Sequence, residues 1–150
     1  MKALSLTQPW ATLIAIRAKR IETRSWATEF RGPLAIHASK AFPRDCRDLC
    51  LDDPFRAALE RAGLRDLKDI PLGAIVAVAR LMGCRNTERV TLDLTKPDEA
   101  AEHEFGDYAP GRWAWFIQGV QPLKTPIACK GALGLWEVSP LILQQVERQL

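Results

Sequence analysis

The most informative part of the chain opens with Leu4-Ser5-Leu6-Thr7-Gln8-Pro9-Trp10 and continues into Lys19-Arg20-Ile21-Glu22-Thr23-Arg24-Ser25-Trp26. Residues 4–7 alternate as in a strand. Pro9 suits the first turn of a helix over residues 9–19, because its missing N–H would have no partner there. From residue 21 the period becomes that of a strand, which puts three side chains on one face: Glu22, Arg24 and Trp26. Cations, a carboxylate and two tryptophans therefore meet where this helix joins the strand over residues 21–26.

The rest of the chain alternates strands with helices. The pattern predicts further strands over residues 34–39, 73–82, 113–117 and 131–137. It predicts helical structure over residues 45–62, which Pro54 can divide in two, and over residues 141–149, where Ser139 supplies the N-cap. This order predicts an α+β fold: a small, mostly antiparallel β-barrel with flanking helices and a C-terminal helix within residues 139–150.

Size and composition predict one domain over residues 1–150, since 47% apolar residues suffice for a core. Residues 84–111 are polar and acidic and predict an insertion or lid, with a short helix from Lys96 to Phe105. Neither a membrane span nor a secretion signal is predicted, so we expect a soluble, cytoplasmic protein. The four cysteines form no Cys-x-x-Cys pair and only two histidines are present, so we expect reduced thiols, no metal and no cofactor.

Charge is distributed unevenly along the chain. The net charge of +3 divides into about +6 for residues 1–44, −5 for residues 45–110 and +2 for residues 111–150. Because attraction to nucleic acid depends on local cation density, the first third is the favoured place for a phosphate-binding cleft. We expect salt-sensitive binding of single-stranded RNA there.

The side chains at the first junction allow two interpretations. Lys19, Glu22 and Arg24 have the chemistry to bind phosphate or a base edge, or to pin the helix to the strand as an ion cluster. Tryptophan faces stack on bases, and Trp10 and Trp26 are the candidates for this role. The strand pattern directs three other tryptophans into the core: Trp113, Trp115 and Trp136.

Three motifs together resemble the ASCH family of the PUA-like superfamily: Gln8-Pro9-Trp10-Ala11, the Lys-x-x-Glu-x-Arg of residues 19–24, and Gly111-Arg112-Trp113-Ala114-Trp115. The resemblance runs from about Leu4 to Val138 and implies a pseudo-barrel with a cleft between the early helix and the barrel. The family pattern has glycine where this chain has Arg17, so we expect a different turn geometry there.

The resemblance and the residue types together give one set of expected ligand contacts. The loop over residues 104–112 is similar to a second family motif and offers Tyr108 and Arg112 as hydrogen-bond donors. The complete set is Gln8, Trp10, Lys19, Glu22, Arg24, Trp26, His37, Ser39, Lys40, Tyr108 and Arg112.

The leading hypothesis is a module that binds RNA or a modified nucleotide in a basic cleft. The alternative is a hydrolase, because small members of the family are amidohydrolases of N4-acetylcytidine that use a lysine matching Lys19, a threonine and a distant glutamate. Here Glu22 occupies the threonine position, and the adjacent Thr23 is expected on the opposite face of the strand. The catalytic residues of an enzyme would then be Lys19, Glu22 and Glu104. Family analogy also leaves open a coactivator-like module with a protein partner.

Overall fold

The computed structural model describes all 150 residues. A six-stranded sheet has the order β2-β5-β4-β3-β1-β6, and only β1 and β3 pair in parallel. The strands are β1 Lys2–Leu6, β2 Ile21–Arg24, β3 Gly32–Ala38, β4 Ala74–Asn86, β5 Trp113–Ala128 and β6 Leu135–Glu137. The helices are α1 Trp10–Ala15, α2 Arg44–Leu49, α3 Phe55–Arg61, α4 Pro97–Phe105 and α5 Pro140–Glu147. The sheet curls into a half-barrel flanked by these helices, which confirms the predicted architecture.

The two longest strands exceed their predicted lengths. β4 continues to Asn86, and β5 continues past Ile117 to Ala128. Gly119 and the prolines that follow it suggest a break in the sequence, but the β4–β5 pairing accommodates them through register shifts between Ile75 and Gly83. Such irregularities bend a strand and raise its twist, and here they curl the sheet. The predicted strand over residues 131–137 is correspondingly short, because only residues 135–137 pair.

The predicted helix over residues 9–19 ends early, at Ala15. Arg17 adopts a left-handed backbone conformation with φ of 63°, and the N–H groups of Ala18 and Lys19 both bond to the carbonyl of Leu13. The expectation that Arg17 imposes a different turn from glycine is therefore wrong, because Arg17 itself adopts the positive φ that glycine favours. Its guanidinium compensates by donating to the carbonyl of Val120 at 2.8 and 3.1 Å.

Two clusters of buried apolar side chains set the position of α1. One cluster joins α1 to the sheet and contains the fully buried Trp115. The other joins Leu13 of α1 to Phe55 of α3 and Phe105 of α4. Helix α4 is thus held beside the turn that follows α1. Trp113 and Trp136 are only half-buried, so the expected burial is complete for Trp115 alone. No helix combines the length and apolarity needed to cross a membrane.

The Arg17 turn yields a stability prediction. We expect Arg17→Ala to lower the free energy of unfolding by about 1–2 kcal/mol, because it removes the bonds to Val120 and retains the left-handed strain. Arg17→Gly should cost less, since glycine adopts positive φ readily. Urea denaturation of both variants measures this difference, and a glycine variant less stable than the alanine variant would contradict it.

Candidate nucleotide-binding cleft

A cavity of about 570 Å³ lies between α1, β2 and the loop that follows α4. Six of the predicted site residues border it: Trp10, Glu22, Arg24, Ser39, Glu104 and Arg112. Lys19 and Tyr108 lie behind its wall, with their polar ends buried. The structure therefore brings the strand motif and the loop over residues 104–112 to one place. The role of these residues as ligand contacts stays a prediction.

Glu22 is the centre of the ion cluster at this cleft. Its Oε1 lies 3.8 Å from Lys19 Nζ, and its Oε2 lies 3.4 Å from Arg24 Nη1. Lys19 is fully buried and its ammonium has no hydrogen-bond partner. Arg24 is partly exposed, and its guanidinium also lies 5.6 Å from the ring centroid of Trp26. One carboxylate thus holds one buried and one accessible cation.

A buried carboxyl on α4 completes this cluster and was missed from the sequence. Glu102 Oε1 accepts the backbone N–H groups of Arg20 at 2.6 Å and Ile21 at 3.1 Å, while Oε2 is buried without a partner. Burial raises the pKa of Glu102, and the charge of Lys19 opposes this rise only in part. The sequence signal was available, since Glu102 shares a helix face with the buried Phe105. Glu104, the glutamate predicted from the sequence as catalytic, is exposed at the rim of the cavity.

The loop after α4 is fixed to β2. The hydroxyl of Thr23 accepts the N–H of Asp107 at 2.8 Å, and Arg112 Nη2 donates to the carbonyl of Thr23 at 3.3 Å. A Cβ atom at Gly106 would lie 2.7 Å from the ring of Tyr108, so only glycine fits there. Thr23 also borders the cleft, and its hydroxyl is taken up by the bond to the loop.

Tyr108 lies beside the two carboxylates of the cluster, Glu22 and Glu102. Its ring stacks on His103, and its hydroxyl is buried without a hydrogen-bond partner. Burial raises the pKa of Tyr108, and the nearby carboxylates of Glu102 and Glu22 raise it further. The phenol therefore stays protonated and keeps a free O–H donor beside two carboxylates.

Three other predicted contacts, one before α1, one at its start and one after β2, have different surroundings. Gln8 is fully buried: its Nε2 donates to the carbonyl of Pro71 at 2.8 Å and its Oε1 accepts the N–H of Thr12 at 3.0 Å. Gln8 thus cannot line the cleft as expected, because its amide holds the start of α1. Trp10 borders the cleft, while Trp26 packs edge-on against Trp115 outside it.

The expected contacts at the end of β3 and just after it line a second cavity, of about 920 Å³, which adjoins the first. His37, Ser39 and Lys40 border it. His37 is buried, with Nδ1 3.0 Å from Ser5 Oγ and Nε2 2.9 Å from the carbonyl of Cys129. A carbonyl only accepts, so Nε2 carries the hydrogen and Nδ1 accepts from Ser5. Burial lowers the pKa of His37 and favours this neutral form.

The excess of cations in residues 1–44 is partly neutralised by ion pairs. Half of the eight cations pair with carboxylates: Lys2 with Glu137, Lys19 and Arg24 with Glu22, and Arg20 with Asp98 and Glu102. Around the first cavity, two arginines face three carboxylates: Arg24 and Arg112 against Glu22, Glu104 and Asp107. Acceptors and donors are therefore mixed around the first cavity, and the basic cleft stays a prediction.

The half-barrel is a PUA-like fold, a class generally linked to RNA binding. A family model described as the ASCH domain matches residues 4–124, and the chain belongs to this family. Two relatives, the mouse and human proteins named Activating signal cointegrator 1, are each 26% identical over 147 residues, 98% of this chain. The chain spans about a quarter of their length, 24%.

Solved structures share the fold. The crystal structure of ASCH from Zymomonas mobilis is similar with a TM-score of 0.58 at 14% identity, covering 98% of this chain and 93% of that one. A point mutant of the same protein gives a TM-score of 0.58 and covers 98% and 96%. At this identity the likeness shows the fold alone.

The raised pKa of Glu102 predicts a pH-dependent stability. The folded protein keeps the Glu102 proton to a higher pH than the unfolded chain, so the free energy of unfolding falls as pH rises through that interval. The slope is at most about 1.4 kcal/mol per pH unit. Glu102→Gln keeps an oxygen for the N–H groups of Arg20 and Ile21 and does not titrate.

We therefore expect Glu102→Gln to gain stability relative to the unmodified protein as pH rises from about 4 to 8. Urea denaturation of both proteins across this range measures the difference, which isolates the Glu102 carboxyl because the other groups are shared. A difference that does not change with pH would contradict the prediction.

Proposed function

We propose that the cleft binds a nucleotide of single-stranded RNA by the polar edge of its base. The observation that carries this proposal is the adjacent pair of Glu22 and Arg24 on the cleft wall, 3.4 Å apart. Glu22 is the only hydrogen-bond partner of the Arg24 guanidinium, so its remaining N–H groups are available to a ligand. A base edge carries hydrogen-bond donors and acceptors side by side. Glu22 can accept from such a donor, and Arg24 can donate to the neighbouring acceptor.

The mixed charge of the cleft supports a base rather than a phosphate as the group bound there. Three carboxylates border the cavity, and each would repel a phosphate. A carboxylate instead accepts from an exocyclic amine, as on cytosine. Trp10 borders the same cavity, and its indole N–H is already bonded to the carbonyl of Phe105 at 2.7 Å, which fixes the ring for contact with a base.

Removing the Arg24 donors tests this proposal. We expect Arg24→Ala to weaken nucleotide binding about tenfold or more, since a good side-chain pair to a base is worth ~1–3 kcal/mol. Arg65→Ala is the matched control, because Arg65 is exposed and borders neither cavity. Calorimetric titration with the four nucleoside monophosphates measures both variants, and equal affinities would overturn the proposal.

Glu22 provides a separate test of base recognition. A carboxylate only accepts hydrogen bonds, whereas the amide of Glu22→Gln also donates. We expect the unmodified protein to favour bases with an exocyclic amine over uracil, and Glu22→Gln to reduce that preference several-fold. The same titrations give the ratio of affinities. An unchanged ratio would exclude Glu22 from contact with the base.

A hydrolase is the second candidate function, and the buried polar groups behind the cleft favour it. Lys19 Nζ, Glu102 Oε2 and Tyr108 Oη are all buried without hydrogen-bond partners next to Glu22. Burial raises the pKa values of Glu102 and Tyr108, and titratable groups perturbed in this way cluster at catalytic sites. In this role Glu22 would take a proton from a water molecule as that water attacks the amide carbonyl carbon, and would return the proton to the departing nitrogen as the C–N bond breaks. Lys19 would hold the carboxylate in place.

N4-acetylcytidine is the test substrate for the hydrolase. Hydrolysis would release cytidine and acetate, which chromatography separates. We expect turnover, if this candidate holds, to disappear in Glu22→Gln, while Arg65→Ala leaves it unchanged. An unmodified protein that binds the nucleoside without forming cytidine would exclude this activity and leave the binding function.

A further inference from the structure

The second cavity continues the first, and the two differ in charge. They share four wall residues: Ser5, Ser39, Ala132 and Leu133. The first cavity carries mixed charges, whereas the second is bordered by Lys40 and Lys130 and by no carboxylate. Neither lysine takes part in an ion pair within the chain, and both are exposed. The path from one cavity to the other therefore leads from a mixed polar surface to a purely cationic one.

Leu133 stands on the boundary between the cavities and is 98% exposed, the most exposed large apolar side chain of the chain. An isolated exposed leucine is ordinary. This one is held by a fixed loop, because His37 Nε2 donates to the carbonyl of Cys129 at 2.9 Å. Gly131 lies directly on the same residues: an added Cβ would be 2.6 Å from His37 Cε1 and from Ser5 Oγ.

Ser5 joins this support to the rest of the sheet. Its hydroxyl donates to His37 Nδ1 and accepts the indole N–H of Trp136 at 3.1 Å. The loop that carries Leu133 therefore rests on a hydrogen-bonded group that spans β1, β3 and β6. Because this loop is held in place by hydrogen bonds, its apolar side chain keeps its position when it contacts a ligand. This lowers the entropic cost of binding.

We propose that the RNA strand whose base occupies the first cavity continues past Leu133 into the second, where Lys40 and Lys130 contact its phosphates. Leu133 inserts between two consecutive bases and separates the base that enters the cleft from its neighbour, as apolar side chains do at nucleic-acid steps. This inference rests on the proposed function and extends it. The ligand is a single strand of at least two nucleotides, because the insertion of Leu133 requires two consecutive bases.

Affinity for two RNA lengths tests the inference. The probes are the nucleoside monophosphates and a fluorescein-labelled eight-nucleotide single strand of mixed sequence, titrated at several salt concentrations. We expect Lys40→Ala with Lys130→Ala to weaken the octamer about tenfold at low salt. The slope of log affinity against log salt should fall by about 1.4, the value for two phosphate contacts of a single strand. Monophosphate binding should not change.

Two matched controls distinguish contacts along the proposed RNA path from a general effect of surface charge or hydrophobicity on octamer affinity. Lys68→Ala with Lys124→Ala removes the same charge from exposed positions outside both cavities, and should leave the octamer within about twofold. Leu133→Ala should weaken the octamer several-fold, while Leu141→Ala, at a residue 68% exposed, should not. Equal effects in the target and control variants would overturn the inference.

The outcomes distinguish this inference from the function on which it rests. If Arg24→Ala weakens both probes but the Lys40 and Lys130 variant weakens neither, the cleft stands and the second cavity is excluded. If only the lysine variant acts, and only on the octamer, the base site and the path that continues from it are both wrong, and only phosphate contacts at Lys40 and Lys130 stand. An eight-residue glutamate peptide that displaces the octamer at equal concentration would identify a general anion surface and overturn the RNA assignment. An octamer that fails to bind the unmodified protein overturns both proposals.

Discussion

A buried ammonium group is the constraint on which the rest of this structure depends. Lys19 Nζ is shielded from solvent, and moving such a charge out of water is costly unless opposite charges lie close to it. Glu22 supplies one from β2, three residues along the chain, and Glu102 supplies another from α4. Glu102 also accepts the backbone N–H groups of Arg20 and Ile21, so the same carboxyl that compensates the charge anchors the start of the strand. Compensating one lysine therefore requires a helix, a turn and a strand to meet at one place.

Two adjoining cavities beside this arrangement differ in the polar groups that they present. Around the first, Glu22 both compensates Lys19 and partly neutralises Arg24, and with the other carboxylates of the cavity wall it leaves a mixed surface. A surface of that kind discriminates by hydrogen-bond pattern, because each donor has an acceptor beside it. Around the second, Lys40 and Lys130 lack carboxylate neighbours and act at longer range on any phosphate. In the proposed function, different residues therefore select the base and attract the phosphates, and one strand contacts both groups.

Much of this was available from the sequence, because its signals are local. The proline and the helical spacing after it locate α1, the change of period locates β2, and Ser139 caps α5 as its position predicts. The division of residues 45–62 at Pro54 and the helix ending at Phe105 follow from equally local preferences. The family motifs identified the correct fold class and drew attention to Glu22 and Arg24, which do border the cleft.

By itself the sequence thus determined the elements, their order and the chemistry of the strand motif. Only the tertiary structure decided which polar groups lose contact with water, because that depends on neighbours distant in the chain. Gln8 is buried by a contact to Pro71. Glu102 is buried by contacts to Arg20 and Ile21, which lie 82 and 81 positions earlier in the chain. The length of β5 likewise depends on its partner β4, whose register shifts absorb a glycine and prolines that locally favour a break. Propensity acts over a few residues, whereas burial, pairing and charge compensation are set by the packing of the whole chain.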